Sequence, residues 1–385
     1  MELLPKSKLP HVETTIFTVM SALADKCQAL NLSQGFPDFD PPDELLERVS
    51  FYLNNSYNQY PPMSGVMPLR ISISDKIKSA YGVEADPERE ITVTAGATEA
   101  LYCAITSIVS PKDEVIMFDP CYDSYDPVVS LNGGIPKHLE MRSPDFRIDW
   151  DEVSDSISDK TRLIILNSPH NPTGTVLNSA DIEALKQIVA GKNIYIISDE
   201  VYEHIIFDKV KHESICRCPE LLERSFVISS FGKTFHATGW KIGYCRAPSE
   251  LTKEFRKIHQ FVNFTVSTPF QMALADYLKW NLEFCDQLGS FYQAKRDYFC
   301  SLLSKSRFHV RPSQGTYFQL LDYSNISGEL DVTLSKEWTR KLGIASIPIS
   351  VFYRKKPASP QALLRFCFAK DDVTLEKAGE ILCRI

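Results

Sequence analysis

The sequence predicts an α/β fold built on a largely parallel sheet, and three observations carry that reading. Short apolar, β-branched runs alternate with helical stretches between residues 90 and 245. The runs are continuously apolar rather than alternating, the pattern of strands covered on both faces by helices. Turn-rich segments bearing polar side chains follow the runs, and ligands gather outside the carboxyl ends of such strands.

The elements follow in order. Pro41 and Pro42 mark the entry into the sheet-bearing part, with a helix over Asp43–Asn54 behind them. The strand runs are Ile91–Thr94, Glu114–Asp119, Arg162–Leu166, Ile194–Ser198, Ser225–Ser229 and Ile242–Cys245, and Ala180–Ala190 is one of the amphipathic stretches between them. After about residue 285 the rhythm changes to a long helical stretch, scattered strands near Gly315–Leu320 and Leu363–Phe368, and a closing helix from Thr374. We therefore expect a large domain over residues 43–285 and a smaller α+β domain made from 1–42 and 286–385.

Composition excludes several classes. With 385 residues, 44% apolar and 24% charged, the chain is an ordinary globular sequence rather than a disordered or fibrous one. Its 42 Lys and Arg against 49 Asp and Glu give a formal charge of -7, no footprint for nucleic-acid binding. No apolar run is long enough to span a membrane, and Met1–Pro10 lacks a signal-peptide core, so the expectation is a cytosolic protein without membrane partners. The 10 cysteines are scattered and read as reduced thiols. Cys216 and Cys218 lack a second pair at zinc spacing, so no metal is expected.

The strand ends hold the chemistry. Ala95-Gly96-Ala97-Thr98 opens a helix after the first run, where backbone amides attract an anion, although such turns also arise from packing alone. Tyr122 follows the second run and is either a packing residue or a platform for a ring. Asn167 to Gly174 is a dense turn sequence whose Asn amides can donate to a ligand or simply shape two turns. Asp199 closes the fourth run; a carboxylate at a buried strand mouth calls for a cationic partner unless it caps the next segment. Lys233 lies between Phe231 and Phe235, where desolvation lowers its pKa and exposes the amine lone pair. The Gly232-Lys233-Thr234 triplet is no P-loop, because Val227 stands where that motif needs its first glycine.

Taken together, Asn171-Pro172-Thr173-Gly174, Asp199-Glu200-Val201-Tyr202, Ser230-Phe231-Gly232-Lys233 with Lys241 eight residues on, and Arg365 in a late strand resemble the fold-type I, pyridoxal-phosphate-dependent aminotransferases of class I/II. Asn31 to Phe39 and Asn58 to Gly65 fit as well, and the resemblance covers essentially the whole chain. Thr15 to Thr18, Ser198 to His204 and Arg365 to Ala369 look closest to the methionine aminotransferase and kynurenine aminotransferase (glutamine transaminase K) branch.

That resemblance implies a three-layer sandwich with a mostly parallel seven-stranded sheet. It implies Lys233 as the lysine that carries pyridoxal 5'-phosphate and moves the proton. Asp199 pairs with the ring nitrogen, Asn171 and Tyr202 bond the phenolic oxygen, and Tyr122 stacks on the ring. Ala97, Thr98, Ser230 and Lys241 hold the phosphate, with Tyr60 arriving from the neighbouring subunit of a homodimer. Arg365 clamps the substrate carboxylate, assisted by Asn171 and the backbone of Gly35, as a bidentate fork fixes orientation as well as charge. The implied reaction is a ping-pong transfer from an L-amino acid to a 2-oxo acid. No second cation stands out for a distal carboxylate, and Phe17, Tyr60, Tyr122 and Phe352 point to methionine, aromatic or similar apolar donors. The competing readings are β-elimination from cysteine conjugates at the same site, a pyridoxal-phosphate-sensing regulator, and a non-catalytic relative. A regulator needs a basic helix-turn-helix ahead of the large domain, which the N-terminal stretch does not provide.

Overall fold

The computed structural model describes residues 6–355, 357 and 362–385. Seven strands form the main sheet: β1 (Ile91–Thr94), β2 (Glu114–Asp119), β3 (Ile135–Glu140), β4 (Thr161–Asn167), β5 (Tyr195–Asp199), β6 (Ser225–Ser230) and β7 (Gly243–Arg246). Their spatial order is β1-β7-β6-β5-β4-β2-β3, parallel throughout except that β7 runs antiparallel to both neighbours.

Alternation along each strand builds a core on each face. Val115 and Met117 of β2 join Leu163, Ile165, Phe226 and Ile228 under the helices Gly96–Ile108, Tyr125–Leu131 and Ser249–Val262. Ile116 and Phe118 point the other way, to Ile164, Leu166, Ile196 and the helices Trp150–Ser156 and Ser179–Val189. The result is the expected three-layer arrangement. Asn178 caps the last helix with a capping box, its side chain accepting from Ala180 and Asp181 while Asp181 accepts from the Asn178 amide.

Strand β3 is the one the apolar runs do not announce. It lies at the sheet edge, its sequence Ile-Pro-Lys-His-Leu-Glu is nowhere fully buried, and only an edge tolerates Pro136.

A second, antiparallel sheet comprises β8 (His309–Val310), β9 (Phe318–Asp322), β10 (Ile347–Pro348) and β11 (Leu363–Cys367), in the order β10-β11-β9-β8. It packs with the helices Glu283–Leu302, Asp331–Lys341 and Asp372–Cys383 around Phe299, Phe308, Tyr323 and Trp338. Leu30–Asn31 pairs in parallel with Ile344–Ala345, which ties the N-terminal segment to this unit. The helix Glu283–Leu302 joins the two parts: Cys285 packs beneath the main sheet, whereas Leu288, Tyr292 and Phe299 belong to the smaller core. Among the described residues no helix is long and apolar enough to cross a membrane.

Candidate active site

A cavity of about 440 Å³ opens at the carboxyl ends of β4, β5 and β6, between the main sheet and the small one. Of the residues singled out in the sequence, Phe17, Gly35, Ala97, Thr98, Tyr122, Asn171, Asp199, Tyr202, Ser230, Lys233, Lys241 and Arg365 all line it. Two do not. Tyr60 is 84% exposed, its ring edge-on to Phe264 at 5.6 Å. Phe352 is buried behind the wall, 5.8 Å from the Phe17 ring and 5.6 Å from the Arg365 guanidinium.

Asp199 ends β5 with its carboxyl buried at the cavity floor. Tyr125 donates to its Oδ2 at 2.7 Å and the Val201 amide to its Oδ1 at 3.3 Å. Burial outweighs these donors and pushes its pKa up to about 6. The Asn167 side chain locks the next strand end, donating to the Asp199 carbonyl at 2.8 Å and accepting from the Asn171 amide at 2.8 Å.

Lys233 follows β6 on the short helix Phe231–Thr234. Its Nζ donates to the Tyr317 hydroxyl at 2.9 Å and to the Gly35 carbonyl at 3.4 Å, with no carboxylate among these partners. Burial pulls its pKa down to about 8, and the charges of Lys241 and Arg365 press the same way. A lysine so placed is a usable base and nucleophile near neutrality.

Arg365, on β11, is fully buried. One of its terminal nitrogens donates to Asn171 Oδ1 at 2.7 Å and the other to the Ser33 carbonyl at 3.0 Å, while Nε has no hydrogen-bond partner among the described residues. The guanidinium lies 3.8 Å from the centroid of the Phe318 ring. Burial lowers its pKa to about 10. A buried guanidinium held by neutral acceptors keeps its charge available for an anion.

The helix Gly96–Ile108 points its N-terminus at the same cavity. Gly96 has φ +71°, and a Cβ there would come within 3.2 Å of Lys241 Nζ, so a side chain would fill the space between the ammonium and the helix amides. Gly243 lets the turn close further, since its Cβ would sit 2.9 Å from the Ala97 nitrogen. Ser230 joins the same wall. Tyr122, mainly through burial, has its phenol pushed up to about 12.

A cavity with one buried acid, one deprotonatable amine and one free guanidinium is equipped for amino-acid chemistry. The family model for aminotransferase classes I and II matches residues 28–382. The chain belongs to that family. This aminotransferase is 51% identical to the methionine aminotransferase of Escherichia coli over 99% of its own length and 98% of that relative. An Escherichia coli crystal structure assigned a methionine aminotransferase function superposes with a TM-score of 0.97, covering 100% of both chains at 51% identity. The kynurenine–oxoglutarate transaminase of Dictyostelium discoideum is 34% identical over 99% of this chain and 96% of that one. Neither an elimination enzyme nor a regulator is favoured by these relatives.

Sequence reasoning missed three residues. Tyr125, Tyr317 and Phe318 carry the bonds and the ring contact on Asp199, Lys233 and Arg365 described above. Each reads as core: Tyr125 opens a helix, while Tyr317 and Phe318 belong to an aromatic run entering a strand.

Proposed function

We propose that this aminotransferase works with pyridoxal 5'-phosphate bound in the cavity and takes its amino group from an L-amino acid with an apolar side chain, of the methionine and aromatic type. The observation that carries the reading is the pair of unneutralised charges: Asp199, raised to about 6 by burial, and Arg365, with neutral partners and an orphan Nε. The residues fit the cofactor. A buried carboxylate stabilises a protonated ring nitrogen by a charge-assisted bond. The Gly96–Ile108 N-terminus, with Ser230 and Lys241, presents donors to a phosphate without a side chain in the way.

When bound, the cofactor supplies an electron sink for the substrate α-carbon. The chain's own residues do the rest. Lys233 Nζ, its pKa pulled down to about 8 by burial, is the group that would take the α-proton. Asn171 and Tyr202 would hold the ring oxygen, and Tyr122 would cover the ring face. Arg365 would receive the substrate carboxylate, assisted by the backbone of Gly35, in the cavity that Nζ also lines. Phe17 and Phe36 line the same space, and among the described residues the cavity wall presents no arginine besides Arg365 for a second carboxylate.

Homodimerisation is part of the proposal. Tyr57, Tyr60, Phe261, Val262 and Phe264 are each exposed, with Tyr60 edge-on to Phe264, and Tyr60, outside this chain's own cavity, is then the partner's contribution. A cytosolic location agrees with the 10 free cysteines.

The test is a donor survey: purified enzyme with a 2-oxo acid and single L-amino acids, following the new amino acid formed. Methionine and aromatic donors should lead. Preference for aspartate or glutamate, or ammonia release without an acceptor, would contradict the reading.

A further inference from the structure

We propose that Asp119, Cys121 and His138 form a binding site for a zinc-class divalent cation, with Asp126 holding the imidazole from behind. The cluster lies outside the cavity, where β2 ends beside the edge strand β3.

Three donor atoms of three chemical types converge there. Asp119 Oδ1 lies 2.7 Å from His138 Nδ1, Cys121 Sγ lies 4.0 Å from the same nitrogen, and all three fall within 4.8 Å of one another. In a tetrahedral zinc site, bonds of about 2.0 to 2.3 Å set neighbouring ligands roughly 3.3 to 3.8 Å apart. The set brackets that spacing and reaches it by shifts of roughly half an ångström. Asp119 and Cys121 are about nineteen-twentieths buried, at 5% and 6% exposure, so the ligands are held by packing rather than waving in solvent.

The outer partner is already in place. Asp126 Oδ2 lies 3.0 Å from His138 Nε2, the carboxylate–imidazole arrangement that fixes the ring and leaves Nδ1 as the ligand. A route exists as well, because Cys121, Asp126 and His138 line an open cavity of about 530 Å³ from which solvent completes the coordination. The other Cys/His/carboxylate cluster, Glu99, Cys103 and His259, is wholly buried, faces none of the cavities described here, and is tied through Nε2 to the Met63 carbonyl at 2.9 Å. It serves as the internal control.

Charge balances. With the imidazolium between two carboxylates and a neutral thiol, the four groups sum to -1. A divalent cation that displaces one proton from His138 and one from Cys121 leaves the same sum, so binding releases two protons and buries no added charge. Asp119 and Asp126 face the imidazole from its two sides. Besides those two and Cys121, Asp123 and Arg354 stand near, the latter 3.7 Å from Asp126, and His11, Glu13 and Lys336 line the same open cavity. Protons therefore compete with the metal, and affinity rises with pH.

Two short bonds tie the cluster to the segment that follows β10, behind the active-site wall. The Cys121 amide donates to the Phe352 carbonyl at 2.9 Å, and the Arg354 amide to Asp119 Oδ2 at 2.9 Å. Tyr122, on the cavity wall, is the next residue.

The experiment uses the cofactor-loaded, reduced, chelator-treated enzyme and Co(II) as probe. We expect one tightly bound ion per chain, visible d–d bands at wavelengths beyond the cofactor's absorption, two protons released per ion in a weakly buffered titration, and weaker binding at lower pH. Cys121→Ser and His138→Asn should each reduce affinity at least tenfold and remove the bands, whereas Cys103→Ser should leave them. If a variant unfolds, the ion stoichiometry and d–d bands of the wild-type enzyme still decide. No binding by the wild-type enzyme, or equal binding by Cys121→Ser with no proton release, would overturn the site.

Discussion

Two sides of one short segment contrast sharply. Asp199 and Tyr202 face the cavity, whereas Glu200 and Glu203, each one residue further on, turn away into the protein. Behind the segment every carboxylate has its partner. Glu203 accepts from Lys76 Nζ at 2.8 Å and also from Tyr81 and Ser229, and Glu200 accepts from Ser198 at 2.8 Å and the Ile215 amide at 3.1 Å, with His212 Nε2 at 2.7 Å. Burial works against the Lys76–Glu203 pair, yet mutual attraction wins, holding the lysine well above its usual pKa and the glutamate far below. On the cavity side burial wins: Asp199 rises to about 6, Lys233 falls to about 8 and Arg365 falls to about 10. Equal depth thus gives opposite protonation behaviour, decided by whether the fold supplies a counter-charge or leaves it to a ligand.

Variants on the two sides should fail differently. Lys233→Ala removes the amine on the cavity side and should cut oxo-acid-dependent turnover by about 10⁴-fold or more, with an unchanged unfolding midpoint. Glu203→Gln breaks the rear pair and strands a buried ammonium, which should cost about 3 to 5 kcal/mol in denaturant unfolding while the folded fraction keeps its turnover.

Asp199→Asn sharpens the comparison, because its effect on stability has the opposite sign. A carboxylate whose folded pKa lies above its unfolded value destabilises the fold once ionised, so cofactor-free wild type should lose stability between about pH 4 and pH 6. Above that window the Asn variant should be more stable by on the order of 3 kcal/mol, and below it the two should converge. Glu203 works the other way, its contribution being full above about pH 4.3 and lost on acidification. Urea unfolding across pH separates the signs; an Asn variant less stable at pH 7 would contradict the picture.

Tyr317→Phe should give the smallest effect. Its hydroxyl accepts from Lys233 and donates to the Gly35 carbonyl at 2.6 Å, so its loss should lower kcat about fivefold, the worth of roughly 1 kcal/mol, with little change in stability.

The cavity side was largely legible in the sequence, the rear side was not, and the reason is locality. Asp199, Lys233 and Asn171 sit at strand ends, where an apolar run followed by a polar turn betrays them. Six of the seven strands of the main sheet announce themselves by burial on both faces, and β3, half-exposed at the edge, does not. Lys76 and Glu203 lie 127 residues apart and sit in stretches with no distinguishing pattern, so only the fold brings them together. Tyr125 and Tyr317 stayed hidden for a related reason: a buried tyrosine looks like core until its hydroxyl has an address.

Borohydride reduction of the purified enzyme, followed by peptide mass spectrometry, tests the account most directly. A pyridoxyl phosphate mass added at Lys233, and its absence when reduction follows saturation with an amino donor, is the predicted result. The same mass on another lysine, or on none, would contradict it.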